Sequence, residues 1–302
     1  MGRLPGRYPA RATRREVGIM TAIHAPLAPR GGTASIVGNE VVKGLRLGWS
    51  ERVQILIELP LFVSFVLLLG YTIGTGDQIV ATGQVDWSLD SYHASWLFLG
   101  MGSYTFSYLL LQKVFWRLLA EIQTGTLEQT YLSPVPPWVH QAIGRPLASI
   151  AETALVVAAM YGVTSLAVRL EFDWRFDALV PLAALIVGAV GLALVVAGLA
   201  LVWKRIEMLN DLVLMLVMFF SGAAMSLDLM PSWSGPITDS LFMTHAIDGL
   251  RTVLLDGQPL AAWGTGGLVW QAATAAGWFV AGVAVFKLSE RTVQRRGALS
   301  HY

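Results

Sequence analysis

Long apolar runs separated by short polar stretches set the pattern of this chain. Six of them, at approximately residues 53–73, 94–112, 146–168, 179–203, 210–228 and 267–286, are nearly free of charge. A helix rises about 1.5 Å per residue, so roughly 20 such residues cross a hydrocarbon core of about 30 Å. None of the runs shows the period-two alternation of a barrel strand, and a helix satisfies its own backbone inside a bilayer. The pattern therefore predicts an all-α integral membrane protein with six transmembrane helices.

Two weaker patterns lie outside these runs. In SIVGNEVVKGLRLGW, Val37, Val41, Leu45 and Trp49 recur every four residues while Asn39, Glu40, Lys43 and Arg46 take other faces. This predicts an N-terminal interfacial helix leading into the first span. Before the last span, PSWSGPITDSLFMTHAIDGLRTVLLDG puts Phe242, Ala246, Leu250 and Leu254 on one stripe. The segment is too short and polar to cross, which predicts a short re-entrant or outer helical hairpin packed on protein. Trp96, Trp116, Trp203 and Trp270 fall near span ends, where amphipathic rings prefer to sit.

Composition agrees with the pattern: 14% of the 302 residues are charged and 55% are hydrophobic, against about 25% charged in a soluble domain. The net charge of +1 gives no reason to expect a nucleic acid partner. Its distribution sets orientation. Lys43, Arg46, Arg52, Lys113, Arg117, Arg145, Lys204, Arg205, Lys287, Arg291, Arg295 and Arg296 flank the spans on one side, and only Arg169, Arg175 and Arg251 on the other. The positive-inside rule then places both termini in the cytoplasm. Residues 1–33 read as a basic disordered tail with Met1 and Met20 as alternative starts, residues 34–290 as the transmembrane domain, and residues 291–302 as a cytoplasmic tail.

Much chemistry is excluded. Without cysteine there is no disulfide, thiolate metal site or Cys nucleophile. Lys43, Lys113, Lys204 and Lys287 lack the glycine-rich cradle of a phosphate-binding loop. The five histidines are scattered; His245 and Asp248 share a helix face at i,i+3, a spacing met more often in ordinary hydrogen bonding than in a catalytic dyad. No metal site and no cofactor on this chain is expected, and any ATP hydrolysis belongs to another chain.

The polar stretch RLLAEIQTGTLEQTYLSPVPP, residues 117–137, is the exception to an otherwise apolar middle. The second span continues to about Glu121 and Gly125 breaks it. Thr126 to Gln129 then form a capping box, and Ser133-Pro134 stops the short helix that follows. A stiff cytoplasmic element between two spans suits the transmission of force from a docked partner. Glu58 and Glu152 lie within predicted spans, where an ionised carboxylate at the bilayer centre costs at least about 2.5 kcal/mol. They are candidates for a substrate path, against the simpler reading that they pair with neighbours such as Arg52 or Arg145. Gly188, Gly191 and Gly198 are spaced for close helix packing.

The run EIQTGTLEQTYLSP, followed by FMTHAIDGLRTVLLDG, resembles the ABC-2 type permeases, the membrane subunits of ABC exporters. The resemblance implies a coupling helix for the ATPase at Glu121, Gly125, Thr126, Leu127, Glu128, Gln129, Ser133 and Pro134. It further implies a non-enzymatic transporter subunit in the plasma membrane, paired with a second permease copy, identical or related. Two ABC ATPase subunits carrying ATP and Mg would drive export from the cytoplasm or inner leaflet, by alternating access or an outward squeeze. A hydrophobic drug-like or lipid-linked cargo fits the short external loops, with polysaccharide export as the alternative in the same family. Two other classes remain: a membrane-embedded enzyme using His245 and Asp248 at the outer face, and an anchor that tethers an ATPase without transport.

Overall fold

The computed structural model describes residues 91–125, 143–203 and 206–296, with isolated helical positions at 38, 42, 60, 63, 64 and 68. Most of the interfacial helix and the first predicted span, Glu58 included, therefore lie outside the described residues. Among the described residues there are seven α-helices, a few 3₁₀ turns and no strand. We number the helices α1 Ser91–Thr124, α2 Arg145–Ala167, α3 Leu179–Val202, α4 Glu207–Phe220, α5 Gly235–Ser240, α6 Phe242–Leu254 and α7 Gly264–Arg296. Three helical segments, at Arg145–Ala167, Phe176–Val202 and Leu260–Arg295, are long and apolar enough to cross a membrane.

Helix α1 is the axis of the fold. Its 34 residues extend about 51 Å at the α-helical rise, well beyond the 94–112 run. It carries Ser103, Thr105 and Ser107 in its middle, where its neighbours bury it. The hydroxyls of Ser103 and Thr105 donate to the Leu99 and Met101 carbonyls, each at 2.7 Å. Bonding back one turn hides polar groups from an apolar surround. The helix stops where Gly125 adopts φ 70 and its N–H reaches the Ile122 carbonyl at 3.3 Å, a left-handed cap that glycine supplies without strain.

Helix α3 is the most apolar element, and its hydrophobic window is 72% buried against 17% for α7. The first is thus a core helix, whereas the second turns a long apolar face outward, with Val269, Val280 and Leu288 exposed. In water that face would be a liability; it suits lipid or a second membrane subunit. Between helices in a bilayer the hydrophobic driving force is small, so close packing carries the association. The three glycines of α3 provide it. A Cβ on Gly191 would lie 2.5 Å from the Phe279 nitrogen, Gly198 faces the Phe286 backbone, Gly188 lies under the Phe242 ring, and Gly282 of α7 meets the Gly191 carbonyl. Substituting Gly191 with leucine is expected to force α3 and α7 apart at a cost of about 1–3 kcal/mol, visible as a lower unfolding temperature of the detergent-solubilised protein.

The fifth apolar run forms a shorter helix than 210–228 suggests. Helix α4 has 14 residues, about 21 Å, and ends at Phe220 because Gly222 turns the chain at φ 72. The Gly222 carbonyl is taken by Arg251 at 3.1 Å, which fixes the turn against α1. Asn210, fully buried in α4, donates to Gln112 Oε1 of α1 at 3.2 Å. After the turn, α5 and α6 follow in succession. The stripe Phe242, Ala246, Leu250 and Leu254 of α6 is buried throughout, against α3 and α1.

Candidate functional site

Two polar regions lie at opposite ends of α1. From Trp96 to Arg117 the helix climbs about 32 Å, roughly the thickness of a hydrocarbon core.

The first region joins the end of α1 to the start of α2. Lys113 and Arg117 are one helical turn apart and so project from the same face. Ser149 and Glu152, at i,i+3 on α2, face them. Lys113 Nζ donates to Glu152 Oε2 at 2.9 Å, and Arg117 Nη2 lies 2.8 Å from both Glu152 oxygens. Arg117 Nη1 reaches the Ser149 hydroxyl at 3.5 Å. The Glu152 side chain is 3% exposed, those of Lys113 and Arg117 14% and 20%. Enclosing a carboxylate to this degree is costly unless partners are in place. One turn further along, Glu121 of α1 forms an ion pair with Arg145, the first residue of α2. Pro146 follows it in the first turn, where its missing N–H costs nothing. Two ion-paired contacts thus brace both helices that flank the connection 125–144.

The second region is a cavity of about 620 Å3, bounded by the start of α1, the turn after α4, α6 and the start of α7. Trp96, Asp228, His245, Asp248, Arg251, Asp256, Trp263 and Trp270 are among its lining residues. Arg251 holds the region together. Its guanidinium carbon lies 3.4 Å from the Trp96 ring centroid, and its nitrogens donate to the Trp96 carbonyl at 3.3 and 3.4 Å as well as to Gly222. The chain approaches this closely because position 100 is glycine; a Cβ there would strike the Ala223 carbonyl and the Arg251 side chain. Burial lowers the Arg251 pKa to about 10, opposed by the charge of Asp248. Burial raises Asp248 above the usual carboxylate range, with Arg251 and His245 opposing the shift.

His245 and Asp248 both line this cavity without bonding to each other. His245 Nε2 lies 2.9 Å from the Asp239 carbonyl oxygen, a contact that requires the proton on Nε2. Asp248 accepts no hydrogen bond from any described residue.

Of the residues singled out in sequence, Glu121 and Gly125 stand at the end of α1, and Glu152 belongs to the ion-paired cluster. Thr126, Leu127, Glu128, Gln129, Ser133 and Pro134 lie outside the described residues, as does Glu58. Arg145, which spacing offered to Glu152, pairs with Glu121 instead, and Glu152 is held by Lys113 and Arg117. In the sequence Lys113 and Arg117 stand out as orientation charges; their i,i+4 spacing is the signal for a shared partner. Arg251 likewise stands out in the sequence only as a charge between spans. Its position on α6 beside the buried stripe was the clue to its buried role.

Long apolar helices with outward-facing Leu, Val and Phe, three of them long enough to cross a bilayer, are the architecture of a multi-pass membrane protein. The family profile described as ABC-2 type transporter matches residues 49–255. The chain belongs to the ABC-2 type transporter family, whose members are transporter permease subunits that generally pair with ABC ATPase subunits. No curated protein matches the chain in sequence.

Proposed function

We propose that the chain is the permease subunit of an ATP-driven exporter in the plasma membrane, with both termini in the cytoplasm. Its transmembrane domain, residues 34–290, contributes six spans. It works with a second permease copy and two ABC ATPase subunits, which bind ATP and Mg and perform all hydrolysis. The cargo is a hydrophobic drug-like or lipid-linked compound taken from the cytoplasm or inner leaflet.

The observation that carries this reading is the doubly ion-paired base of α1 and α2. The Glu152 cluster and the Glu121–Arg145 pair fasten together the two helices that the 125–144 connection joins. A push on that connection then moves α1 and α2 as one body, and α1 reaches the far side of the fold. In this reading Glu128 and its neighbours from Thr126 to Pro134 contact the ATPase, while Glu121 and Glu152 transmit the displacement as braces.

Replacing Gly125 to Gln129 by a flexible Gly-Ser stretch is expected to leave membrane insertion and assembly with the ATPase intact while removing most substrate-stimulated ATP hydrolysis. The measurement is ATPase activity of the purified complex with and without cargo. Full stimulation in the variant would show that force does not pass through this segment.

A further inference from the structure

The cavity at the far end of α1 has no part in the bracing. Its volume, about 620 Å3, lies within the range of small-molecule sites, roughly 300–1,000 Å3. Three carboxylates, Asp228, Asp248 and Asp256, line it against one guanidinium. That guanidinium is occupied by the Gly222 and Trp96 carbonyls and by the Trp96 ring. Asp228 and Asp256 each have a hydroxyl neighbour, Ser226 at 3.3 Å and Tyr92 at 3.2 Å. Asp248 is half-buried and accepts no hydrogen bond from a described residue. Such a carboxylate calls for a positive group.

The shape of the lining narrows the kind of cation. Among the described residues no three His, Asp or Glu side chains are grouped closely enough to hold a metal ion. Two indoles line the same space. Trp263 donates to the Thr252 hydroxyl at 3.2 Å, and Trp270 meets the His245 ring edge-on at 6.4 Å between centroids. Indole faces favour cations whose charge is spread over carbon-bearing groups. A compact, strongly hydrated ion gains little from them.

We propose that this cavity binds a bulky organic cation, of the quaternary ammonium or phosphonium type, between the Trp263 and Trp270 rings and the Asp248 carboxylate. The inference rests on the permease reading in one respect only, that the bound cation is cargo held on the exit side. A binding measurement on the isolated subunit tests the site itself. It can succeed where coupling fails, and the reverse.

The test uses the full-length chain in maltoside detergent and equilibrium binding of labelled tetraphenylphosphonium. One saturable class of sites is expected. Asp248→Asn should weaken binding by roughly tenfold or more, whereas Asp248→Glu should stay within about threefold of the parent. Tetraphenylborate, of the same shape and opposite charge, should not compete. Trp270 is half exposed, so Trp270→Leu tests the aromatic contact without disturbing the fold, and a several-fold loss is expected. Competition by glycerophosphocholine would identify a lipid headgroup as the natural source of the cation; its failure to compete would identify a free organic cation. Binding unchanged in Asp248→Asn or in Trp270→Leu, or equal competition by the borate, overturns the proposal.

Discussion

Replacing Glu152 with alanine is expected to destabilise the subunit by about 3–5 kcal/mol, the usual cost of breaking a buried ion pair from one side. The substitution leaves Lys113 and Arg117 facing each other across a cavity with little access to water. Their mutual attraction to one carboxylate becomes mutual repulsion. Lys113→Met should cost less, because Arg117 Nη2 keeps its charge-assisted contact with both Glu152 oxygens. Glu152→Gln keeps the shape and loses the charge, so it should fall between the two. Thermal unfolding of the detergent-solubilised protein ranks the three variants. An unchanged unfolding temperature for Glu152→Ala would mean that this cluster does not fasten α1 to α2.

Arg251→Leu should cost about 3 kcal/mol at the other end of the fold. Arg251 is 8% exposed and its guanidinium bonds to two carbonyls. Hydrogen bonds from charged donors contribute about 1.5–3 kcal/mol each, partly offset here by relief of the buried charge. Its pKa, lowered to about 10 by burial, leaves it protonated at neutral pH, so these bonds are charge-assisted under ordinary conditions. Leucine fills much of the volume but leaves the Gly222 and Trp96 carbonyls without their donor. Lysine should recover only a minor part, because an ammonium neither forks to two carbonyls nor stacks on an indole as a guanidinium does. Limited proteolysis would locate the damage: faster cleavage between Ser221 and Ser234 is expected, since the turn after α4 loses its tie. Equal stability of Arg251→Leu and the parent would remove Arg251 from its structural role.

The division between what was legible in the sequence and what was not follows from the physics of each signal. Hydropathy reports unbroken apolar composition, whether the helix faces lipid or protein, so α2, α3 and α7 stand out plainly. Helix α1 is wrapped by protein, and its length beyond 112 was readable only through the stop at Gly125. The close approaches at Gly188, Gly191 and Gly198 were readable because small residues at helical spacing have few other uses. The early end of α4 was not. It depends on Gly222 bonding to Arg251, 29 residues away, and no local pattern marks such a partner. The same limit applies to the candidate sites. Glu152 stands out because charge is costly in a membrane and Glu121 because it belongs to the polar stretch 117–137, but the partners of each sit on another helix. The cavity at the far end of α1 was invisible as a unit, since its residues come from four separate stretches.

Absence of native cysteine makes one measurement especially direct. Gln123, near the ion-paired base, and Gln258, just after α6, are both exposed, and each can be replaced singly by cysteine. In intact cells a membrane-impermeant maleimide should label Gln258→Cys and leave Gln123→Cys unmodified until the membrane is permeabilised. That result sets the braced base on the ATP-bearing side and the aromatic cavity outside. Labelling of Gln123→Cys in intact cells would contradict it, because a coupling segment exposed to the exterior has no access to a cytoplasmic ATPase.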